Sequence, residues 1–184
     1  MPAWTAGVND DGLRVKFGPQ EADKAVGGFS STGGDHEYLE FDIDYTELLS
    51  ATPAIVGSVG NPGAFGVEVP QGARVLKVET EVETAFTSSG TIGSATMVIG
   101  TKQSVDRTTE LDHDGFTAAA ATGTVLGLAT VGTVVELTQG STGHGAQVGT
   151  TLAQEGVIVA SNSAHASHPY TAGKLRVRLF YRVA

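Results

Sequence analysis

Two long stretches of the 184-residue chain alternate regularly between apolar and charged residues. Residues 72–86 read GARVLKVETEVETAF, with Lys77, Glu79, Glu81 and Glu83 on one face and mainly apolar residues on the other. Residues 173–183 read GKLRVRLFYRV and place Lys174, Arg176, Arg178 and Arg182 on one face. A period of two is typical of a strand with one buried face. We therefore predict two half-buried β-strands, one acidic and one basic on the outside.

The opposite charges predict how these strands pair. An antiparallel ladder whose partner numbers sum to 257 creates three ion pairs, Glu79 with Arg178, Glu81 with Arg176 and Glu83 with Lys174. The same register sets Val82 against Leu175 and Leu76 against Tyr181 on the core side. A two-residue slip sets Lys77 against Arg178, so the charges favour 257. Each exposed pair contributes only about 0.2–1 kcal/mol, so the charges select the register while the apolar face stabilises the sheet.

A third alternating stretch, HEYLEFDIDYT at residues 36–46, has a strongly acidic outer face made of Glu40, Asp42 and Asp44. Side chains two residues apart on a strand are about 7 Å apart and do not converge on one cation without other ligands. The pattern therefore favours a solvated or partner-facing acidic stripe over a cation site.

The remaining sequence predicts several shorter strands, giving about eight around one core. One or two helical turns are predicted for residues 116–121, capped by Asp114. Together with 25 glycines and only 17% charged residues, this predicts an all-β fold, a jelly-roll-like antiparallel β-sandwich over residues 37–184. Residues 1–36 hold one short alternating piece, LRVKF at 13–17, among glycine, serine and acids. They predict an extended N-terminal arm, with a floppy terminus as the alternative.

The charge of −9 narrows the possible partners. Residues 1–60 hold ten acids and three bases, a balance of −7, which leaves −2 for the rest. With no basic cluster beyond one strand, we expect no binding to nucleic acid. The chain has no cysteine, which fits a reducing cytoplasm. It also shows neither a signal peptide nor an apolar run of about 20 residues, so we expect a soluble, unexported protein without membrane contact.

Candidate chemistry is sparse. Asp112-x-Asp114-Gly115 resembles the start of a calcium loop, but Phe116 and alanines occupy later ligand positions. His165 and His168 share one loop and offer two zinc ligands without a third nearby. No nucleophile elbow or phosphate loop occurs. We therefore predict no catalytic, cofactor-binding or metal-binding residues and no enzymatic activity.

The order of the segments resembles the capsid decoration, or cement, proteins of tailed bacteriophages, which are small β-sandwich virion proteins. The segments that carry the resemblance are FGPQEADKAVGGFSSTGG, LEFDIDY, VPQGARVLKVETEVETAF, MVIGTKQSVDRTTELDHDGFTAAAA and TAGKLRVRLFYRV. The resemblance implies a non-enzymatic protein that binds the major capsid protein. It would stabilise the outer capsid surface of the virion after assembly in the host cytoplasm, as a homo-oligomer with a trimer favoured.

The resemblance also implies where partners bind. Phe17 and Phe29 of the arm, with the acidic face of Glu40, Asp42 and Asp44, are the predicted partner-binding residues. The charges of Glu79, Glu81, Glu83, Lys174, Arg176 and Arg178 are instead predicted to hold the sheet in register. The alternative is a phage tail or fibre module or a glycan-binding sandwich, for which Tyr170 and Phe180 are the candidate aromatic residues.

Overall fold

The computed structural model describes residues 6–8, 14–16, 29–33, 36–58, 66–118 and 121–183, with side chains from residue 37 onward. These ranges contain twelve strands and two 3-10 turns, at Tyr45–Leu48 and Ile92–Ser94. The strands are β1 (Ala6–Val8), β2 (Arg14–Lys16), β3 (Phe29–Gly33), β4 (His36–Asp44), β5 (Ala54–Ile55), β6 (Glu68–Val69), β7 (Ala73–Ser88), β8 (Val98–Gln103), β9 (Glu110–Thr117), β10 (Val134–Thr138), β11 (Gly156–Ser161) and β12 (Tyr170–Val183). The described ranges include no helical segment with the length and apolar character of a membrane span.

Two five-stranded sheets pack against each other. The first has the strand order β10-β7-β12-β4-β3, and the second has the order β5-β11-β8-β9 with β6 also paired to β11. All the ladders are antiparallel. Alternate residues of both sheets point inward and form one core, in which Phe41, Leu179, Phe116 and Ile158 are almost fully buried. The predicted all-β sandwich is confirmed.

The pairing of β7 with β12 has the predicted register over its central part. Partner numbers sum to 257 from Lys77 with Phe180 to Val82 with Leu175. Two predicted alignments at the ends are wrong because β-bulges shift the ladder there, although the predicted ion pair of Glu83 with Lys174 still forms. Tyr181 lies opposite Val75 rather than Leu76, which puts Val75 into the core, and Lys174 lies opposite Thr84 rather than Glu83.

The predicted helical turn at residues 116–121 is wrong in its first part, since Phe116 and Thr117 end strand β9. Phe116 is 1% exposed and packs in the core. The buried Thr117 hydroxyl accepts from the Ile99 amide at 2.7 Å and donates to the Met97 carbonyl at 2.8 Å. These bonds satisfy the Ile99 amide of β8, where the ladder with β9 is irregular, and the carbonyl of Met97 just before β8. Asp114 therefore lies within a strand and caps no helix.

Part of the predicted arm belongs to the first sheet. Strand β3, Phe29–Gly33, pairs with β4 and forms the sheet edge opposite β10. Strands β1 and β2 form a separate two-stranded ribbon that contacts β3 through β2. The division at residue 36 and the arm's role in binding stay predictions.

Candidate interaction face

The basic strand β12 lies between two acidic strands, β7 and β4. Its ladder with β4 pairs Arg178 with Glu40, Arg176 with Asp42 and Lys174 with Asp44. Side chains at alternate positions of neighbouring strands lie on the same face of a sheet. The bases of β12 therefore form a positive row between the acidic rows of β4 and β7 on the outer face of the first sheet. We call the joined side chains the ion-pair lattice: Glu40, Asp42, Glu79, Glu81, Glu83, Lys174, Arg176 and Arg178.

Arg178 is the centre of the ion-pair lattice. Its Nε lies 2.6 Å from Glu40 Oε2, its Nη1 2.8 Å from Glu79 Oε1 and its Nη2 2.9 Å from Glu81 Oε2. Hydrogen bonds to Glu79 and Glu40 raise the pKa of Arg178 above its ordinary value. One guanidinium therefore links three strands, using the several donors of its planar fork.

The other two bases repeat this arrangement. Lys174 Nζ lies 2.6 Å from Asp42 Oδ2 and 2.7 Å from Glu83 Oε2. Its hydrogen bonds to Asp42 and Glu83 raise the pKa of Lys174. Arg176 forms ion pairs with Glu83 and with Asp42. Each base thus contacts acids from both flanking strands, so the lattice ties β4, β12 and β7 together.

The structure places the predicted partner-binding residues in different settings. Glu40 and Asp42 belong to the ion-pair lattice, so they do not form a bare acidic stripe. Asp44 caps the first 3-10 turn, and its Oδ1 accepts from the Thr46 amide at 2.9 Å. Phe29 begins β3 opposite Glu40, and Phe17 lies outside the described residues. Any partner of this surface meets mixed charge, and the binding role of these residues stays a prediction.

Sequence reasoning missed the contacts at the Lys77 end of this face. Lys77 Nζ lies 2.5 Å from Glu136 Oε1 of β10 and 4.5 Å from the centre of the Phe180 ring. On its other side Phe180 stacks with Tyr38 of β4 at 5.8 Å. The alternation of Glu136 with Val135 and Leu137 was the available signal, since it marks Glu136 as outward-facing. A cation and two aromatic rings therefore continue the face beyond the lattice.

Tyr170, the other candidate aromatic residue, is a core residue. It is 2% exposed and packs edge to face on Phe86, with ring centres 5.1 Å apart. Burial raises the pKa of the Tyr170 hydroxyl. Its ring is therefore not available to stack on a ligand at the surface.

The residues considered as metal ligands have other contacts. Asp112 and Asp114 share a hydrogen bond on β9, and burial together with this bond raises the pKa of Asp112 to about 6. His168 Nδ1 accepts from the Thr91 amide at 2.9 Å and so joins two loops. Within the described ranges, no group of three or more His, Asp or Glu residues is placed to hold a metal ion.

We predict that Asp112→Asn stabilises the protein at neutral pH. A carboxyl whose pKa is raised in the folded state favours folding below its unfolded pKa and loses that contribution as pH rises through about 6. At pH 7.5 the neutral amide should increase the free energy of unfolding by about 1 kcal/mol after allowing for solvent screening. At pH 4 the gain should vanish. Urea unfolding at both pH values measures it.

Asp106→Asn is the matched control. The pKa of Asp106 is held below its ordinary value, first by the Thr109 hydroxyl and then by backbone amides. This substitution should therefore destabilise the protein at pH 7.5. If Asp112→Asn destabilises the protein at pH 7.5 as Asp106→Asn does, the raised pKa of Asp112 does not lower the stability of the fold.

Comparisons with known proteins support the fold. No protein-family model matches the sequence, and no curated protein matches it either. A chain of the "Cyanophage Pam1 capsid asymmetric unit" is similar in structure, with 14% identity over 90% of this chain and 100% of that chain and a TM-score of 0.50. A chain of the "Capsid of Ralstonia phage GP4" is 17% identical over 83% of this chain and 87% of that one, with a TM-score of 0.49. The chain thus shares its fold, over nearly its whole length, with a chain found in a phage capsid.

Proposed function

We propose that this protein is a phage virion structural protein of the decoration or cement type, which binds the outer surface of the capsid and stabilises it. The observation that carries the proposal is the fold similarity to a chain of a phage capsid, which covers all of that chain. The segment order described above points to the same class. A charge of −9 suits the outside of a shell better than the side that faces DNA.

The ion-pair lattice supports this role as a scaffold. Its bases tie three adjacent strands together, so the face keeps its shape when a partner binds. Many copies around a symmetric shell would make attachment lasting even if each contact were weak. In this proposal residues 1–28 supply a second contact with the shell, in line with the extended arm that their composition predicts.

The aromatic residues give little support to glycan binding. Tyr170 is buried, and Phe180 is flanked by Lys77 on one side and Tyr38 on the other. Neither ring offers the free face on which a sugar would stack.

Co-sedimentation with shells assembled from the major capsid protein of the same virus tests the proposal. The full chain should bind saturably. A variant lacking residues 1–28 loses β1 and β2 but keeps edge strand β3. Its thermal midpoint should stay close to that of the full chain, with affinity for shells reduced by about 100-fold or more.

Two outcomes would contradict these expectations. If the full chain stays in the supernatant with intact shells, capsid binding is refuted. If the shortened chain binds as tightly as the full chain, the arm is not the anchor. The substitution Glu110→Gln, on the exposed start of β9 in the second sheet, serves as the control that should leave binding unchanged.

A further inference from the structure

Four loops at one end of the sandwich contain no Asp, Glu, Lys or Arg. Strands β7 and β11 end there and strands β12 and β8 begin there, because Ser88 lies opposite Tyr170 and Ser161 lies opposite Val98. The four loops at this end are residues 49–53, 89–97, 121–128 and 162–169. We call these four loops together the uncharged end.

Hydrogen bonds join the four loops into one surface. Asn162 is fully buried, and its amide donates to the Ser50 carbonyl at 3.0 Å. Its side-chain Oδ1 accepts from the Thr96 hydroxyl at 3.2 Å. The Gly123 amide donates to the Ala95 carbonyl at 2.7 Å, which attaches the fourth loop. Because the loops are already fixed to one another, a partner that covers them orders little additional chain.

The opposite end of the sandwich, where β8 ends and β11 begins, is charged. Arg107 forms an ion pair with Glu68 there, with Nη2 and Oε1 3.6 Å apart. Asp106 and Glu155 are exposed in loops that a backbone hydrogen bond from Ser104 to Glu155 connects. The ion-pair lattice adds further charges on the outer face of the first sheet. Charge is therefore distributed unevenly over the described residues, and the uncharged end stands apart from the other surfaces.

The exposed residues of the uncharged end suit contact with another protein. Leu49 is 50% exposed and offers apolar surface to a partner. Ala166 and Ser167 are exposed as well, and such small side chains lose little rotamer freedom when they are covered. Charged residues are depleted in the core of protein interfaces, since removing a charge from water is costly. The uncharged end combines these properties on one preformed surface.

We propose that the uncharged end is the surface through which the folded sandwich docks on the capsid shell, at an uncharged area of a shell subunit. This inference rests on the proposed function and names the contact surface of the sandwich. A chain with a charge of −9 can meet a shell through this end without removing a charge from water. Its charged faces, the ion-pair lattice among them, then stay in solvent and keep unattached copies apart.

Inserting a charge into the uncharged end tests the contact. Full-length Leu49→Asp and Leu49→Lys are compared with the natural chain by co-sedimentation with shells assembled from the major capsid protein of the same virus. Both should lower the affinity for shells by about 10-fold or more, because a charge of either sign would be buried without a partner. Ala166→Asp, in a different loop of the same end, should do the same. All three residues are exposed, so the thermal midpoints should stay nearly unchanged.

Val105→Asp is the matched control. Val105 is 90% exposed in the loop between β8 and β9, at the charged end of the sandwich. The same change from an apolar residue to aspartate should leave the affinity for shells within about 2-fold of the natural value. Amide hydrogen exchange of the full chain gives an independent readout. Shells should slow exchange in residues 163–168 of the uncharged end and leave residues 104–109 unaffected.

The possible failures are distinguishable. If the natural chain binds shells and the Leu49 and Ala166 variants bind equally well, the docking surface is wrong while the proposed function stands. If Val105→Asp weakens binding as much as Leu49→Asp does, the contact does not lie at the uncharged end. If the natural chain leaves shells unbound, both proposals are refuted. A natural chain that self-associates in sedimentation velocity and becomes monomeric as Leu49→Asp would show that a second copy, and not the shell, covers this end.

Discussion

Replacing Gly173 by alanine is expected to lower the free energy of unfolding by about 2–5 kcal/mol. Gly173 has a φ of +134°, in the region that favours glycine. It lies in a bulge of β12, and a Cβ there would stand 2.3 Å from the ring of Phe86. Phe86 is 2% exposed and packs on Tyr170, so the ring cannot move aside without disturbing the core.

Gly140→Ala separates the steric cost from the backbone cost. Gly140 also has a positive φ, +91°, but a Cβ added there meets nothing within 4 Å. We expect it to lose only about 1–2 kcal/mol from the backbone conformation. Urea unfolding followed by circular dichroism measures both variants. Equal losses would mean that the contact with Phe86 contributes nothing.

The pairing of β7 with β12 shows how far a sequence can determine a sheet. Two runs with a period of two and opposite outer charges have one register that satisfies both faces, and the central pairs adopt it. The alternating pattern of apolar and charged residues looks the same whether or not the strand has bulges beside Tyr181 and Lys174. Alternation alone therefore cannot locate them, although Gly173 marks one.

The position of β4 beside β12 illustrates what the sequence left open. Pairing with β7 already gives each base one acid, so counting charges provides no reason to add a second acidic strand. Arg178 nevertheless accommodates Glu40 as well as Glu79, because a guanidinium has five donors. The alternation of apolar and charged residues shows which face of the sheet a side chain lies on, but not how many ion pairs that side chain can form.

Local sequence preferences also misled at residues 114–121. An aspartate followed by several alanines favours a helix start. The burial of Phe116 and the bonds of Thr117 to the backbone of Met97 and Ile99 favour the strand instead. Contacts with a distant part of the chain decide here, and no local pattern contains them.

Replacing Arg178 by methionine should remove about 2 kcal/mol of stability at pH 7, because methionine keeps most of the buried stem but leaves three carboxylates without their shared cation. Glu40 on β4 and Glu79 and Glu81 on β7 would then repel one another across β12, without the guanidinium between them. Arg182→Met on the same strand is the matched control. Arg182 is exposed and lies opposite Arg74, so its loss should change stability by less than about 0.5 kcal/mol.

The pH dependence of the Arg178→Met effect identifies its cause as electrostatic. Burial raises the pKa of Glu79, but hydrogen bonds from Arg178 and Lys77 outweigh this and hold it below its ordinary value of 4.5. A carboxylate whose pKa is lowered by folding stabilises the folded state when the pH is above the pKa it has in the unfolded chain. This contribution is lost as the pH falls through its folded-state pKa. The difference between Arg178→Met and the natural chain should therefore be largest near pH 7 and shrink below about pH 4.5, as the carboxylates are protonated. If the difference persists undiminished at pH 3, Arg178 stabilises the sheet through packing, and the ion-pair lattice is not what ties its three strands together.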